Sequence, residues 1–164
     1  MSGLRETFLN ELKDLYDAEK QLLKALPEMA QAARDEELKA AFLAHQKETE
    51  EQVRRLVQVF EAFDQQPAAK KCKGMQGLIE EAKELINEEE GDAALICAAQ
   101  KAEHYEIAAY GSLVAWAELL EEEEATELLH ATLEEEKAAD EKLTEIAETA
   151  INIEESAEEE AAKS

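Results

Sequence analysis

Apolar residues recur at three- and four-residue spacing through four long segments of this 164-residue chain. That period places them on one face of an α-helix. The segments cover roughly residues 4–33, 35–63, 93–120 and 125–151, and we refer to them as the first to fourth predicted helices. Only five glycines and two prolines interrupt the chain. The pattern therefore predicts an all-α protein.

The connections between the predicted helices differ in length. The first and second helices follow each other closely, as do the third and fourth, so each pair should form an antiparallel hairpin. The long connection between the second and third helices contains a short amphipathic helix at residues 75–87. Two hairpins joined by such a crossover have the connectivity of a ferritin-like four-helix bundle. We expect residues 1–152 to form this bundle.

The last residues of the chain differ in composition from the rest. From residue 153 they are mostly Glu and Ala, without a core-facing pattern. Because such a segment cannot bury enough apolar surface to order itself, we expect residues 153–164 to be a frayed acidic tail. No fifth helix is predicted after the fourth, which disfavours a storage shell of many subunits. We expect a homodimer instead.

The charge of the chain excludes some classes of partner. Its 41 acidic and 17 basic residues give a formal net charge of −24, which should repel nucleic acid and anionic membranes. A host with high internal salt would suit this charge, and an ordinary acidic surface fits nearly as well. No apolar run reaches the length of a membrane span and the N-terminus lacks a signal-peptide pattern, so a cytoplasmic location is expected.

Two cysteines, Cys72 and Cys97, are too few for a disulfide scaffold and lack the CxxC spacing of a thiolate zinc site. Cys97 stands between Ile96 and Ala98, and we interpret it as a small core residue. We interpret Cys72 as an ordinary loop cysteine. Its lysine neighbours leave open a thiol of lowered pKa.

Each of the four predicted helices carries ionisable side chains on its apolar face. These candidates are Glu19 on the first helix, His45 and Glu48 on the second, Glu103 and Glu106 on the third, and Glu135, Glu136 and Asp140 on the fourth. Glu19 precedes Glu48 by the same 29 residues by which Glu106 precedes Glu135. Residues equally far from the turn of a hairpin lie at similar depth, so these groups should meet in one layer. His104 falls on the opposite face and should lie at the surface.

Several carboxylates with one imidazole form a ligand set suited to iron or manganese. Burying bare carboxylates costs several kcal/mol, and such groups persist when paired, protonated or metal-bound. Two divalent ions would balance four carboxylates, so the sequence predicts a dinuclear metal site. It does not decide between Glu135 and Glu136 as the ligand from the fourth helix.

Each candidate also has a purely structural interpretation. A single Glu on a helix often lies at the surface, and His45 alone would more often be a hydrogen-bonded core histidine. Tyr16 and Tyr110 are interpreted as packing residues, with a role beside the site as hydrogen-bond donors or electron sources left open. Agreement in depth among four helices favours the metal site over these separate interpretations.

Three stretches of sequence are distinctive: residues 15–19 (LYDAE), 72–75 (CKGM) and 103–111 (EHYEIAAYG). Together they resemble the YciF-like family, a bacterial ferritin-like group associated with stress responses. The resemblance implies a ferritin-like four-helix fold, a dimer and a di-iron site. More distantly, Glu103 and Glu106 are similar to the Glu-x-x-Glu of rubrerythrins, and Glu19 is similar to the first-helix Glu of ferritin-like proteins such as bacterioferritins.

The chain also departs from the ferritin-like pattern. Its second helix carries His45-x-x-Glu48, the reverse of the usual Glu-x-x-His. Its fourth helix has no histidine near the site, because His130 lies too close to the helix start, and Asp140 stands in that place. A site with one imidazole is richer in oxygen, which favours manganese or ferric iron over zinc.

The resulting hypothesis is a stress-related protein that binds two iron or manganese ions and acts on O₂ or peroxide, by iron oxidation or peroxide handling. The alternative is a non-catalytic structural or interaction bundle, dimeric, with a vestigial metal site.

Overall fold

The computed structural model describes residues 3–163. Six α-helices account for most of them: α1 (Leu4–Ala32), α2 (Glu36–Ala62), α3 (Lys73–Asn87), α4 (Asp92–Leu119), α5 (Glu123–Ile146) and α6 (Asn152–Lys163). A π-helical turn, Ala147–Ile151, joins α5 to α6. Residues 3–163 contain no strand, and the predicted all-α class is confirmed.

The four long helices enclose one core. α1 packs on α2 and α4, and α5 packs on α4 and α2. The rings of Phe8, near the start of α1, and Phe63, just after the end of α2, stack with centroids 4.3 Å apart. Since only three residues join α1 to α2, this contact shows that the two helices run antiparallel, as predicted. The short helix α3 covers α1 and α4 from one side.

The turn between α1 and α2 is fixed by two aspartates. Asp35 is the N-cap of α2, and its carboxylate accepts a hydrogen bond from the Leu38 N–H at 2.9 Å. Asp92 is the first residue of α4, and the N-cap of that helix is Gly91. The Asp92 carboxylate accepts hydrogen bonds from the N–H groups of Arg34 and Asp35, at 2.7–3.1 Å. It therefore ties the start of α4 to the α1–α2 turn.

The core position predicted for Cys97 was wrong, whereas Cys72 lies at the end of a loop, as predicted, but without the lowered pKa that its lysine neighbours left open. Cys72 is buried, because it is the N-cap of α3 where that helix packs against α1 and α4. Its Sγ accepts a hydrogen bond from the Met75 N–H and lies 3.0 Å from the Tyr105 hydroxyl. Burial raises the pKa of the Cys72 thiol. Cys97 is exposed, because it lies two residues, about 200°, around α4 from the buried Ala99.

The C-terminal segment is also more ordered than expected. It is helical to Lys163 rather than frayed, so a helix does follow the fourth long one. None of its residues is buried, but Glu155 Oε1 accepts a hydrogen bond from the Ala93 N–H at 3.0 Å. Gly91 adopts φ 97°, and a Cβ there would lie 2.8 Å from the same Glu155 oxygen. The positive φ is what favours glycine at the N-terminus of α4, because the Glu155 carboxylate, at the end of a flexible side chain, could move away from a Cβ.

No helix within residues 3–163 combines the length and the apolar character needed to cross a lipid bilayer.

Candidate metal centre

Five of the predicted site residues meet in the middle of the core. They are Glu19 from α1, His45 from α2, Glu103 and Glu106 from α4, and Glu136 from α5, and none is more than 6% exposed. Each occupies a position where its helix would otherwise present an apolar side chain. The helical spacing alone therefore directs these groups inward.

The five side chains form two groups of three that share one member. In one group, ligand atoms of His45, Glu103 and Glu136 all lie within 4.8 Å of one another, and in the other the same holds for Glu19, Glu106 and Glu136. We call these the histidine triad and the carboxylate triad. Glu136 belongs to both, which is the arrangement expected of a carboxylate placed between two adjacent ions.

Many polar atoms of the two triads lack a hydrogen-bond partner. Within the described residues these are Glu19 Oε2, His45 Nε2, Glu103 Oε2 and both carboxyl oxygens of Glu106 and Glu136. The His45 Nε2 atom lies 3.0 Å from Glu103 Oε1, but the alignment is not that of a hydrogen bond. Buried polar groups are nearly always satisfied, so a cluster of this kind requires an explanation.

The burial of these acids perturbs their protonation. Burial, together with the carboxyl groups of Glu19 and Glu136, raises the pKa of Glu106 well above its ordinary value. Burial and the neighbouring Glu103 do the same to the pKa of Glu136. Burial raises the pKa of Glu19 to about 7, although a hydrogen bond from Tyr110 opposes the shift. Near neutral pH Glu19 would therefore be about half protonated, and all three shifts favour the protonated carboxyl groups unless a cation replaces the protons.

His45 and Glu103 are shifted as an ion pair. Burial alone would lower the pKa of His45, but the adjacent carboxylates, Glu103 foremost, raise it well above its ordinary value. Burial alone would raise the pKa of Glu103, and the nearby His45 lowers it. The histidine triad thus contains one internal charge pair, whereas the carboxylate triad contains none.

Tyr110 is the tyrosine beside the site. Its buried hydroxyl donates a hydrogen bond to Glu19 Oε1 at 2.5 Å. Burial and the carboxyl groups of Glu19 and Glu106 raise the pKa of Tyr110, so it stays protonated and remains a donor. Tyr16 instead packs edge-on against Phe60, at 5.6 Å between centroids. Tyr16 is thus a packing residue, as interpreted from the sequence. Tyr110 has the hydrogen-bond donor role that the sequence left open.

Glu48 contacts the cluster through His45. Its Oε2 lies 3.3 Å from His45 Nδ1, and its side chain is 48% exposed. A carboxylate at this nitrogen fixes the orientation of the imidazole and leaves Nε2 toward the triads. The structure therefore places Glu48 beside the histidine and outside both triads.

Two further predicted residues also lie outside the triads. Glu135 accepts two hydrogen bonds from Arg55, both at 2.7 Å, and a third from Gln52, so its charge is already balanced. Asp140 Oδ2 lies 3.1 Å from Nε2 of the surface residue His104. Glu136, not Glu135, is the α5 carboxylate of the buried cluster. Sequence reasoning missed Arg55, whose partner is 80 residues away, and no local signal identifies that pair.

Comparison with known proteins identifies the family of the chain. Residues 3–156 match the family described as Domain of unknown function (DUF892). The chain belongs to the DUF892 family. It is 48% identical over 157 residues to Protein YciF of Escherichia coli (strain K12), an alignment covering 93% of this chain and 95% of that protein. The resemblance predicted from the three sequence stretches is thereby confirmed.

Solved structures of similar proteins share the fold. The crystal structure of the E. coli stress protein YciF superposes with a TM-score of 0.87 at 49% identity, covering 90% of this chain and 96% of that one. YcfI of Rhodopseudomonas palustris, described as a candidate structural protein, gives 0.85 at 41% identity, covering 87% and 94%. A protein of Xanthomonas campestris pv. campestris gives 0.70 at 24% identity, covering 89% and 92%, which bears on the fold alone.

Proposed function

We propose that this DUF892 protein is a ferritin-like four-helix bundle that binds two divalent iron or manganese ions in its core. The observation that carries the proposal is the set of unpartnered atoms in the histidine and carboxylate triads. Buried carboxylates without donors are costly, and cations are the partners that best account for them.

The ligand set fits such a pair of ions. Four glutamates supply up to four negative charges, which two divalent cations would neutralise. Oxygen ligands with a single imidazole suit iron and manganese. The histidine triad would hold one ion and the carboxylate triad the other, with Glu136 common to both. Tyr110 would keep Glu19 oriented, and Glu48 would do the same for His45.

When bound, an iron or manganese pair would supply one-electron chemistry toward O₂ or peroxide. A role in stress is proposed by likeness to the E. coli relative, which is described as a stress protein. We propose iron oxidation or peroxide handling as the activity of the loaded centre.

Metal binding by Glu136→Gln tests the proposal. This variant keeps the shape of the shared side chain and removes its charge. Anaerobic titration with Fe(II), and titration with Mn(II), should give about two ions per chain for the unaltered protein, and less than one for the variant. Calorimetry and elemental analysis would measure both.

Glu134→Gln is the matched control, because Glu134 is an exposed glutamate on the same helix. It should bind metal as the unaltered protein does. Equal stoichiometry in Glu136→Gln and Glu134→Gln would contradict the proposed centre.

A second candidate function is a structural bundle, and the description of the R. palustris relative favours it. In that case the acidic cluster would be vestigial and the protein would act through its surface as a homodimer. Thermal melting with and without chelator separates the two candidates, because bound metal stabilises only a protein that uses the site. A melting temperature indifferent to chelator and to added Mn(II) would favour the structural role.

A further inference from the structure

An apolar pocket opens between α2 and α5 and reaches the histidine triad. Its volume is about 360 Å³. Alanines line its two sides: Ala40, Ala41 and Ala44 on α2, and Ala138 and Ala139 on α5. Helices that pack through larger residues would fill this space, so the gap follows directly from the small side chains on both sides.

The inner end of the pocket is polar and buried. Leu22, Leu26 and Met29 of α1 form part of its floor, and His45 and Glu103 line it as well. His45 is 6% exposed and Glu103 is 3% exposed, and both have an unpartnered atom, Nε2 and Oε2 respectively. A molecule in the pocket would therefore lie against one half of the proposed metal centre.

The rim of the pocket is charged. The exposed residues Glu37 on α2 and Lys142 on α5 form an ion pair of 2.7 Å across it, and the half-exposed Glu48 also lines the opening. These three groups leave an excess of negative charge at the rim, on a chain whose net charge is −24. That field disfavours an anionic ligand.

We propose that this pocket binds a small, uncharged apolar organic molecule, and that it is the substrate pocket of the centre. Its volume falls in the range of about 300–1,000 Å³ typical of small-molecule sites, far more than a water or dioxygen molecule needs. The apolar walls with polar groups only at the two ends also match such a site. The binding part of this inference stands without metal, whereas the substrate part rests on the proposed function.

A second copy of the chain is a less suitable occupant. A two-fold contact at this groove would bring the Glu37 and Glu48 of the second copy against the same residues here, and like charges at an interface repel. This repulsion acts at the groove alone and leaves other faces free to form a dimer. A neutral molecule entering from solvent meets no such barrier.

Two fluorescent probes of nearly the same shape test the inference. N-phenylnaphthylamine is uncharged, and anilinonaphthalene sulfonate is its anionic counterpart. Titrated into the full-length protein, as purified and after chelation, the neutral probe should bind at one site per chain, and the anionic probe should bind more weakly. Added Mn(II), being paramagnetic, should quench the bound neutral probe if the centre lies next to it.

Substitutions on the two walls locate the probe. Ala44→Phe and Ala138→Phe should each weaken binding of the neutral probe by about tenfold or more, because the added ring takes up the space that the ligand needs. Both alanines are exposed, so the fold should tolerate the change. Ala131→Phe, at an exposed alanine two turns earlier on α5 and outside the pocket, should bind the probe unchanged.

The outcomes are distinct. No binding of the neutral probe, or equal binding in all three variants, would overturn the pocket. Loss of dimerisation in Ala44→Phe together with no probe binding would also overturn it and identify the groove as an interface between copies. Probe binding in the metal-free Glu136→Gln variant would uphold the pocket even if the metal centre failed. If Mn(II) bound to the unaltered protein did not quench the probe, the substrate role would be overturned.

Discussion

The hydrogen bond between Tyr110 and Glu19 joins two fully buried side chains on α4 and α1. Tyr110→Phe would remove the donor and leave the ring in place. Because a buried carboxyl group would lose a partner, we expect the free energy of unfolding to fall by about 1–3 kcal/mol. Urea denaturation at neutral pH measures this change.

Tyr16→Phe is the control for that measurement. The Tyr16 ring packs on Phe60 and lies 4.8 Å from the Lys20 ammonium, and the substitution keeps both contacts. Its unfolding midpoint should match that of the unaltered protein. An equal midpoint for Tyr110→Phe would mean that the bond contributes nothing to stability.

Single residues of the site differ in how far the sequence could predict them. Glu103 and Glu106 stand on an alanine-rich face, and that contrast made their burial predictable. Glu135 and Glu136 are neighbours only about 100° apart on the helix, so periodicity could not separate them. The separation depends on Arg55, a distant residue that pairs with one and not the other. Asp140 shares a face with Glu136 by spacing, yet its Oδ2 lies 3.1 Å from the exposed His104 of α4, and its side chain, 19% exposed, stays outside the triads.

At the scale of the helices, two carboxylates hold the N-terminus of α4. Asp92 binds the α1–α2 turn and Glu155 binds the Ala93 N–H. The two carboxyl oxygens of Asp92 together accept three hydrogen bonds from the N–H groups of Arg34 and Asp35. Asp92→Asn would replace one of these oxygens with an NH₂ group, which donates and cannot accept. We expect a loss of about 1–3 kcal/mol in the free energy of unfolding, because at least one of the part-buried N–H groups of Arg34 and Asp35 would lose its charged acceptor.

Glu124→Gln provides the comparison for Asp92→Asn. Glu124 also stands in the first turn of a long helix, α5, but it is exposed. Its substitution should leave the urea midpoint unchanged within error. Similar losses in both variants would show that proximity to a helix N-terminus, and not the link to the α1–α2 turn, sets the contribution of Asp92.

The helical state of α6 could not be predicted from hydrophobic periodicity. Its composition has no core-facing stripe, and the structure agrees that it buries nothing. Its helical state is consistent with strong intrinsic helix formers, Glu and Ala, continuing from α5, and with the Glu155 contact to α4. That contact joins residues 62 apart in the chain, so no local pattern could reveal it.

For the whole molecule, the protonated core predicts how stability depends on pH. An unfolded glutamate has an ordinary pKa of 4.5, and in the fold the pKa of Glu19 rises to about 7 while those of Glu106 and Glu136 rise well above that ordinary value. The folded chain therefore binds more protons than the unfolded chain. The stability from these groups is complete below 4.5 and is lost as pH rises through their folded pKa values.

We expect the urea midpoint of chelated protein to fall from pH 6 to pH 8. Saturating Mn(II) should reduce the fall or reverse it, since metal ions bind the deprotonated ligands. Glu106→Gln removes one of the titrating groups, so its metal-free midpoint should fall less between the two pH values. Identical midpoints at both pH values in chelator would contradict the assignment of these protons.

The overall architecture was the most predictable part, because long uninterrupted helices leave few ways to bury their stripes. Equal distances to the hairpin turns predicted the depth of Glu19 and Glu106. Their counterparts in that argument, Glu48 and Glu135, lie outside the triads. The pocket could not be predicted from the sequence, because the alanines on α2 and α5 that form it come together only when these two helices pack.

Glu136 faces both triads, and this sharing has a thermodynamic consequence. In the proposed centre, whichever ion arrived first would change the charge and the orientation of a carboxylate that the other must use. The affinities for the first and the second ion would then be linked, and each ion would alter the affinity for its neighbour by the same factor. A chain carrying a single ion would thus be a distinct chemical species, and not simply a half-filled version of the loaded one.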